Sequence, residues 1–466
     1  MLNASISSSG QYAGIGALIT SVNKKSVIAF PYENFPAHRA GMKVGDEIIS
    51  VDGKNVKGKP THEISALLKG NPTSEVTLIV DRVGKELSFK MKRENIKINN
   101  VAYYDLIDRG VGYIKLDDFT SGAAKEVESA VISLKQRGAT KLILDLRDNP
   151  GGLMYEAVNI VNLFIPKGKE VVVTKGKVQD WNKSYVTLNS PVDTETPLAI
   201  LTSNGSASAS EIVAGALQDY DRAVLVGQKT FGKGLVQTTR PLAYNAQLKV
   251  TTAKYYIPSG RCIQALDYAH RNQDGSVDKF ADSLKAAFKT KNGRTVYDGG
   301  GLDPDVLVDR LSIGSAVAEL IQSGLIFEFA TRYCSEHPDL KSFQNFRLSD
   351  EDYRQFEHWL AEQKFSYSTD LEKQVDLLIV EARKERFYDG LQGNFSSLQS
   401  KILQSHQGYA IRFRDEIQSI LEDEIGFHQT LNRGRTDVSL KRDIEIASAK
   451  KTLNDHETYQ KLLKPN

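Results

Sequence analysis

Two short segments of the 466-residue chain hold residue types that can do chemistry together. The first is Ser203-Asn204-Gly205-Ser206-Ala207-Ser208-Ala209-Ser210-Glu211, where small residues end a strand-like apolar run and open a helix-like one. The second is Gly227-Gln228-Lys229-Thr230-Phe231-Gly232-Lys233-Gly234, its second lysine 25 residues after Ser208. A serine on a sharp bend between strand and helix suits acyl transfer. Its hydroxyl is exposed, and the first free N–H groups of the helix point outward to receive the charge of a tetrahedral oxyanion. A hydroxyl also needs a base. No histidine occurs between His62 and His270, so only a distant histidine could complete a Ser-His-Asp set, whereas Lys233 is local. Free lysine titrates near about 10.4, and full burial can hold it about 3–5 pH units lower. Phe231, Leu235 and Val236 are apolar neighbours of the required kind, and Gly232 and Gly234 let the backbone approach closely. At about 1.4 kcal/mol per pH unit, the fold has to supply several kcal/mol.

Plainer readings exist for both residues. The second segment satisfies G-x-x-x-x-G-K of a phosphate-binding loop, but Gly234 stands where magnesium needs Ser or Thr. The following "GLVQTTRPL" reads as a strand, not the helix such a loop requires. Phosphate binding is therefore set aside. Ser208 and Glu211 form S-x-x-E, a capping box in which the hydroxyl merely satisfies a helix N–H, and Ser206 or Ser210 can cap equally well. Lys233 taken alone reads as an exposed loop lysine. Residue types by themselves leave capping and nucleophilic roles side by side.

The elements that must position these residues fall into three regions after a short tail, 1–9. Residues 10–96 read as a small β-rich domain, with "GALITSV", "SVIAFPY" and "EVTLIVDRVGKELSFKMKR" as strands and "THEISALLKG" as a helix stopped at Gly70. Over 97–310 strands and helices alternate: "KLILDL", "TPLAILTS" and "RAVLVG" are buried-type strands, and "MYEAVNIVNLFI" and "EIVAGALQDY" are helical. This argues for an α/β layer with some parallel pairing. From 311 to 466 the pattern is mostly helical. Ile417, Ile420 and Leu421 form a packing stripe, and the mixed charges over 430–460 read as a solvated helical surface.

Composition sets the outer limits. The length calls for two to four domains. A net charge of +2 gives no reason for nucleic acid or an acidic membrane as main partner. Two cysteines, Cys262 and Cys334, make no disulfide framework, and the eight scattered histidines show no zinc-binding spacing. No metal or cofactor is expected. The start, "MLNASISSSGQYAG", has neither the basic end nor the apolar stretch of a secretion signal, which fits a cytoplasmic chain or a processed or shortened form.

Two resemblances sharpen this. Gly14-Ile15-Gly16-Ala17 followed by Ala40-Gly-Met-Lys-Val-Gly-Asp46 resembles a PDZ domain. That implies capture of a peptide's terminal carboxylate by the backbone of residues 14–17, the peptide adding as a strand beside the sheet. "NGSASASEIVAGALQD" with "VGQKTFGKGLVQ", "LDLRDNPGG", "TTAKYYIPSGRCIQ" and "GGGLDPDV" resembles the carboxy-terminal processing (tail-specific) peptidases, a Ser/Lys family. This second resemblance implies an α/β spiral (ClpP/crotonase-like) peptidase core joined to the PDZ domain and a mostly helical C-terminal region, in a multidomain α/β protein. It further implies Ser208 as nucleophile, Lys233 as base and Gln237 as the residue orienting the amine. Ala209 and either Gly151 or Gly152 would supply the oxyanion-hole N–H groups. Lys229 would be solvated or structural, and Asp145, Arg147 and Asp148 strand-end and turn residues. The expected partners are proteins or peptides bound by their C-termini, with self-association through the helical regions, at the cell envelope. The rival readings are an inactive peptide-binding scaffold that keeps the PDZ motifs, and crotonase-like acyl chemistry on a related spiral.

Overall fold

A computed structural model describes residues 11–272, 276–280, 283, 285–309, 313–340, 342–363, 365–405 and 408–465. The tail expected over 1–9 lies outside them. The chain divides into two compact units: Tyr12–Ile96 with Leu311–Ser439, and chiefly Lys97–Arg310 with Leu440–Asn466.

In the first unit, β1 (Ala17–Val22), β2 (Lys25–Pro31), β3 (Glu47–Val51), β4 (Glu75–Arg82) and β5 (Lys85–Lys92) form an antiparallel sheet in that order, with α1 (Thr61–Leu68) against β1. Alternation makes the sheet: Val76, Leu78 and Val80 of β4 face the core with Ile28, Ile48 and Ile64. The Ala40–Asp46 segment turns tightly because buried Asp46 accepts from Arg82 Nε at 2.6 Å and from the Lys43 N–H at 2.8 Å. Gly45 has φ +91, and a Cβ there would lie 2.4 Å from Thr331, so only glycine lets the helical part approach.

The second unit holds β6 (Val101–Asp108), β7 (Val111–Leu116), α2 (Ala123–Gln136), β8 (Lys141–Asp145), α3 (Met154–Phe164), β9 (Glu170–Lys175), β10 (Lys183–Val186), β11 (Leu198–Thr202), α4 (Ala209–Asp219), β12 (Val224–Gly227), β13 (Leu235–Pro241), β14 (Gln247–Tyr256) and β15 (Val306–Leu307). The main sheet runs β15-β12-β11-β8-β7-β6, parallel except for β6. Its central strands are continuous apolar runs because both faces are covered. One face packs on α2, α3 and α4. A smaller antiparallel sheet, β10-β9-β14-β13, carries the segment after Lys233.

The helical region contributes α5 (Ser315–Gln322), α6 (Leu325–Glu336), α7 (Asp350–Glu362), α8 (Asp370–Lys384), α9 (Tyr388–Ser405) and α10 (Arg414–Ser439, interrupted at Thr430 and Leu431), followed by α11 (Ile444–Asn454) and α12 (His456–Leu462). Ile417 and Leu421 are fully buried among α6 and α7, as the packing stripe predicts. Phe30 of β2 stacks on Phe427 of α10 at 5.5 Å, within the first unit.

The sequence suggests one helical domain beyond 310, with a solvated surface over 430–460; the structure corrects the second point and divides the first. Residues 440–465 belong with the second unit. Ile446, Ala449, Leu453 and Tyr459 cover the other face of the parallel sheet, on Tyr113, Ile143, Ala199 and Val224. Among the surrounding charges, buried Arg147 takes Asp145 of β8 together with Asp443 and Glu445 at the start of α11. Burial alone would raise the Asp145 carboxyl, but Lys115 and Arg147 hold it well below the usual carboxylate range. Asp145 and Arg147 thus tie the last helices to the sheet.

Candidate active site

Ser208 sits between β11 and α4 with φ 57 and ψ −112, left-handed backbone that a non-glycine residue holds only when its surroundings compel it. Its neighbours supply the compulsion. Ser206 Oγ donates to the Leu146 carbonyl at 2.7 Å, and Ser210 Oγ to the Asn149 carbonyl at 2.9 Å. The Ala207 N–H also reaches the Asn149 carbonyl, at 3.0 Å. Two of the three alternating serines are thereby used to stitch the bend onto the Asp-Asn-Pro-Gly-Gly turn. Ser208 and Glu211 complete a capping box, with the Ser208 hydroxyl facing the Glu211 N–H short of a well-formed hydrogen bond, while that N–H donates to the Ser208 carbonyl at 2.9 Å. The well-formed half of the box runs from the Ser208 N–H to Glu211 Oε2 at 2.9 Å.

Glu211 does more than cap. Its Oε2 also accepts the Lys233 N–H at 2.9 Å, and its Oε1 accepts Thr230 Oγ1 at 2.6 Å and the Gly232 N–H at 2.8 Å. The Ser208 and Lys233 amide nitrogens therefore lie no further apart than twice 2.9 Å. From the opposite side, the buried Tyr255 hydroxyl faces the carbonyls of Ser208, at 3.2 Å, and of Lys233. One carboxylate and one phenol hold the backbones of both residues. Burial pushes the Glu211 carboxyl up, against the four donors that pull it down. Burial and the nearby Glu211 charge raise the Tyr255 hydroxyl well above its ordinary range, so it stays protonated.

The glycines flanking Lys233 are forced. Gly232 has φ +86 and meets Ala265, while the Gly234 N–H donates to Gln264 Oε1 at 2.8 Å. The Lys233 side chain is half-buried, and its amine makes no hydrogen bond or ion pair among the described residues, to the Ser208 hydroxyl included. Lys229 instead pairs with Asp303 at 2.9 Å. Gln237 lies exposed on β13, just past a register shift between Val236 and Gln237, with no hydrogen bond from its side chain to Lys233.

Gly151 and Gly152 differ in their surroundings. The Gly151 N–H donates to Asn149 Oδ1 at 2.9 Å, while the Gly152 N–H has no partner among the described residues. At Gly151, φ is +92 and a Cβ would lie 2.6 Å from the Ala207 carbonyl oxygen, 2.7 Å from the Ala209 nitrogen and 2.8 Å from Ser208 Cβ. Gly151→Ala is thus expected to lower kcat/KM on a peptide substrate by about 10²-fold, because the displaced atoms are those of the serine bend. At Gly152 a Cβ meets Phe119 instead, with no positive φ to add strain, so Gly152→Ala is expected to spare more of the rate and to lower the thermal midpoint no more than Gly151→Ala does. Measuring both quantities for both variants checks the assignment.

Gly14, Ile15 and Gly16 are buried at the entry to β1, and the N–H groups of Ile15 and Gly16 donate no hydrogen bond among the described residues. The carbonyls of this loop are taken, Ile15 by the Ala37 N–H at 2.8 Å and Gly16 by the Tyr32 N–H at 2.9 Å. The loop, ending at Ala17, offers donors without acceptors.

Sequence reasoning missed Tyr255, Thr230 and Gln264, and read Glu211 only as a cap. The available signal was their occurrence as polar side chains in otherwise apolar or glycine-rich matched segments. Arg261 was missed in the same way: fully buried, it anchors the loop after β14 to Gln218 and Asp219 at the end of α4, at 2.7 and 2.8 Å.

Comparison with known proteins agrees with this architecture. Residues 110–269 match Peptidase family S41, residues 27–82 match a PDZ domain, and residues 316–453 match "Probable PDZ-protease, C-terminal helical domain". The matched segments join a PDZ domain to a core of the Peptidase family S41 type. In these segments the chain is similar to carboxy-terminal processing peptidases. It is 42% identical over 258 residues to "Probable CtpA-like serine protease" of Staphylococcus aureus, covering 55% of this chain and 51% of that one. It is 38% identical over 266 residues to "Carboxy-terminal-processing protease" of Bartonella bacilliformis, covering 56% and 61%. The chain thus spans between half and two thirds of the curated relatives it matches. Among solved structures, "Photosystem II D1 C-terminal processing protease" aligns at 28% identity with a TM-score of 0.36, covering 66% of this chain and 74% of that one.

Proposed function

We propose that the protein is a serine endopeptidase that binds substrates by their C-termini through its PDZ domain and cleaves with Ser208 and Lys233. The observation that carries this reading is the shared clamp: Glu211 and Tyr255 hold the backbones of Ser208 and Lys233 together, and of Ser206, Ser208 and Ser210 only Ser208 does not spend its hydroxyl on the 146–149 segment. Lysine acts as a base only when uncharged, and no carboxylate lies within ion-pairing distance of this amine among the described residues. With its backbone fixed, Lys233 reaches the hydroxyl by rotating its own side chain.

In the reaction, Ser208 Oγ passes its proton to Lys233 Nζ and attacks the scissile carbonyl carbon. The oxyanion is received by the N–H groups of Ala209 and of the Gly151–Gly152 turn, where that of Gly152 is uncommitted. Lys233 then gives the proton to the leaving amine, and water enters by the reverse relay to release the acyl group. Gln237 orients the amine once its side chain turns toward Lys233. Substrate selection falls to residues 14–17, whose free N–H groups suit a terminal carboxylate. The proposed place of action is the cell envelope; among the described residues no helix is long and apolar enough to cross a membrane.

The test is cleavage of peptides that differ only in their last three residues, run beside Ser208→Ala. Turnover is expected to depend on the free C-terminus and to vanish in the variant; undiminished cleavage by Ser208→Ala would overturn the assignment. Self-association is proposed through the α8–α9 hairpin, which exposes Leu377, Leu378, Val380, Phe387 and Leu403. Sedimentation is expected to show a dimer or larger species that Leu377→Glu with Leu378→Glu shifts toward monomer.

A further inference from the structure

The free edge that the PDZ domain offers a peptide does not end in solvent. β1 lies at the edge of its sheet, with the carboxylate loop at its start and α1 alongside. A peptide added antiparallel, its last residue opposite Ala17, runs backwards along β1 toward Val22. At about 3.4 Å per residue, roughly its sixth residue from the C-terminus arrives beside Val22 and Asn23. There the structure has a cavity of about 400 Å³, whose apolar wall is Val22 of β1 together with Ile321, Ile326, Phe327 and Ile420 of the helical region.

The cavity is built in advance. The α5–α6 corner is pressed against the end of β1 at Gly324, which has φ +76 and where a Cβ would lie 2.6 Å from Val22 Cγ1. Asn23 Nδ2 donates to Glu328 Oε1 at 2.8 Å and fixes α6 beside the strand. Both belong to the unit formed by Tyr12–Ile96 and Leu311–Ser439. The PDZ fold owns one wall and the helical region supplies the others.

From this continuity with the strand edge we infer that the cavity is a second specificity subsite, taking an apolar side chain about six residues before the substrate's C-terminus. The inference rests on the proposed capture of C-termini by residues 14–17. The helical region then reads substrate sequence, and a tail is selected by two features a fixed distance apart: a free carboxylate and an upstream apolar residue.

Binding to the full chain carrying Ser208→Ala, so that peptides stay intact, tests this by fluorescence anisotropy. The probes are decapeptides with leucine or aspartate at the fifth, sixth or seventh residue from the end, the same peptides with an amidated C-terminus, and a tetrapeptide of the shared last four residues. Leucine at one of those positions is expected to bind about tenfold more tightly than aspartate there. Adding Ile321→Asp, a change at a partly exposed position, should remove that gain and leave the tetrapeptide unaffected. If leucine gains nothing at any position, the subsite is overturned while carboxylate capture stands. If amidated and free peptides bind alike, the capture reading fails and the subsite with it.

Discussion

Replacing Lys233 with methionine is expected to lower kcat/KM on a cleavable peptide by about 10³-fold or more, with PDZ-directed peptide binding unchanged. Methionine keeps much of the volume and disturbs none of the backbone bonds, since those holding residue 233 run from its N–H to Glu211 and to its carbonyl from Tyr255. What is lost is the amine. Lys233→Arg separates the two roles a lysine can play, because a guanidinium keeps the charge yet stays protonated in proteins. If Lys233 works as a base, arginine is as inactive as methionine; if it works only as a cation, arginine retains much of the rate. Single-turnover kinetics with a chromogenic ester and a peptide, across the three proteins, distinguish these outcomes.

Glu211→Gln should be nearly as damaging, for a different reason. Four donors converge on one buried carboxylate: the Ser208, Gly232 and Lys233 N–H groups and the Thr230 hydroxyl. An amide offers one oxygen, and its NH₂ must face donors. Each buried donor left unpaired costs about 1–3 kcal/mol, and a shift of about 1 Å in either Ser208 or Lys233 costs about 10²-fold in rate. A fall in kcat/KM of about 10²-fold or more, with a lower thermal midpoint, is therefore expected. Wild-type activity in Glu211→Gln would show that the clamp is dispensable.

The same carboxylate sets a pH dependence with a definite sign. Burial raises its pKa in the folded state above the ordinary glutamate value. As pH falls through that raised value the folded state takes up the proton before the unfolded one does, so this group then favours folding rather than opposing it. Protonation nevertheless puts an O–H among four donors and loosens the hold on both Ser208 and Lys233. Activity is expected to fall on the acid side above the normal glutamate range while the fold persists, and parallel rate and circular dichroism titrations would read the difference.

Much of this was legible in the chain because local rules and the final fold agree. The stretches 142–144, 198–201 and 224–226 are apolar throughout and lie in central parallel strands, since a strand covered on both faces has no polar side to show. The small-residue bend before α4 and the glycines around Lys233 were readable because their backbone conformations and close approaches admit little else. Charge patterning failed at the C-terminus. Glu445 and Asp443 look like solvent-facing residues in sequence, but Arg147, almost three hundred residues earlier, pairs with both and takes them inward.

The chain alone determined that a serine stands at a strand-to-helix bend, that a lysine follows in a glycine-bounded loop, and that a donor-rich loop opens a small sheet domain. Spacing, turn chemistry and hydrophobic period act over a few residues and are written locally. Only the tertiary structure decided which of three serines is not bonded to the 146–149 segment, and that one buried glutamate holds the backbones of both Ser208 and Lys233. It also decided that the last helices cover a face of the sheet and that the helical region closes a cavity at the end of β1. These depend on hydrogen-bond partners and packing surfaces far apart in sequence, and a buried donor or acceptor reveals its role only when the group that satisfies it is in place.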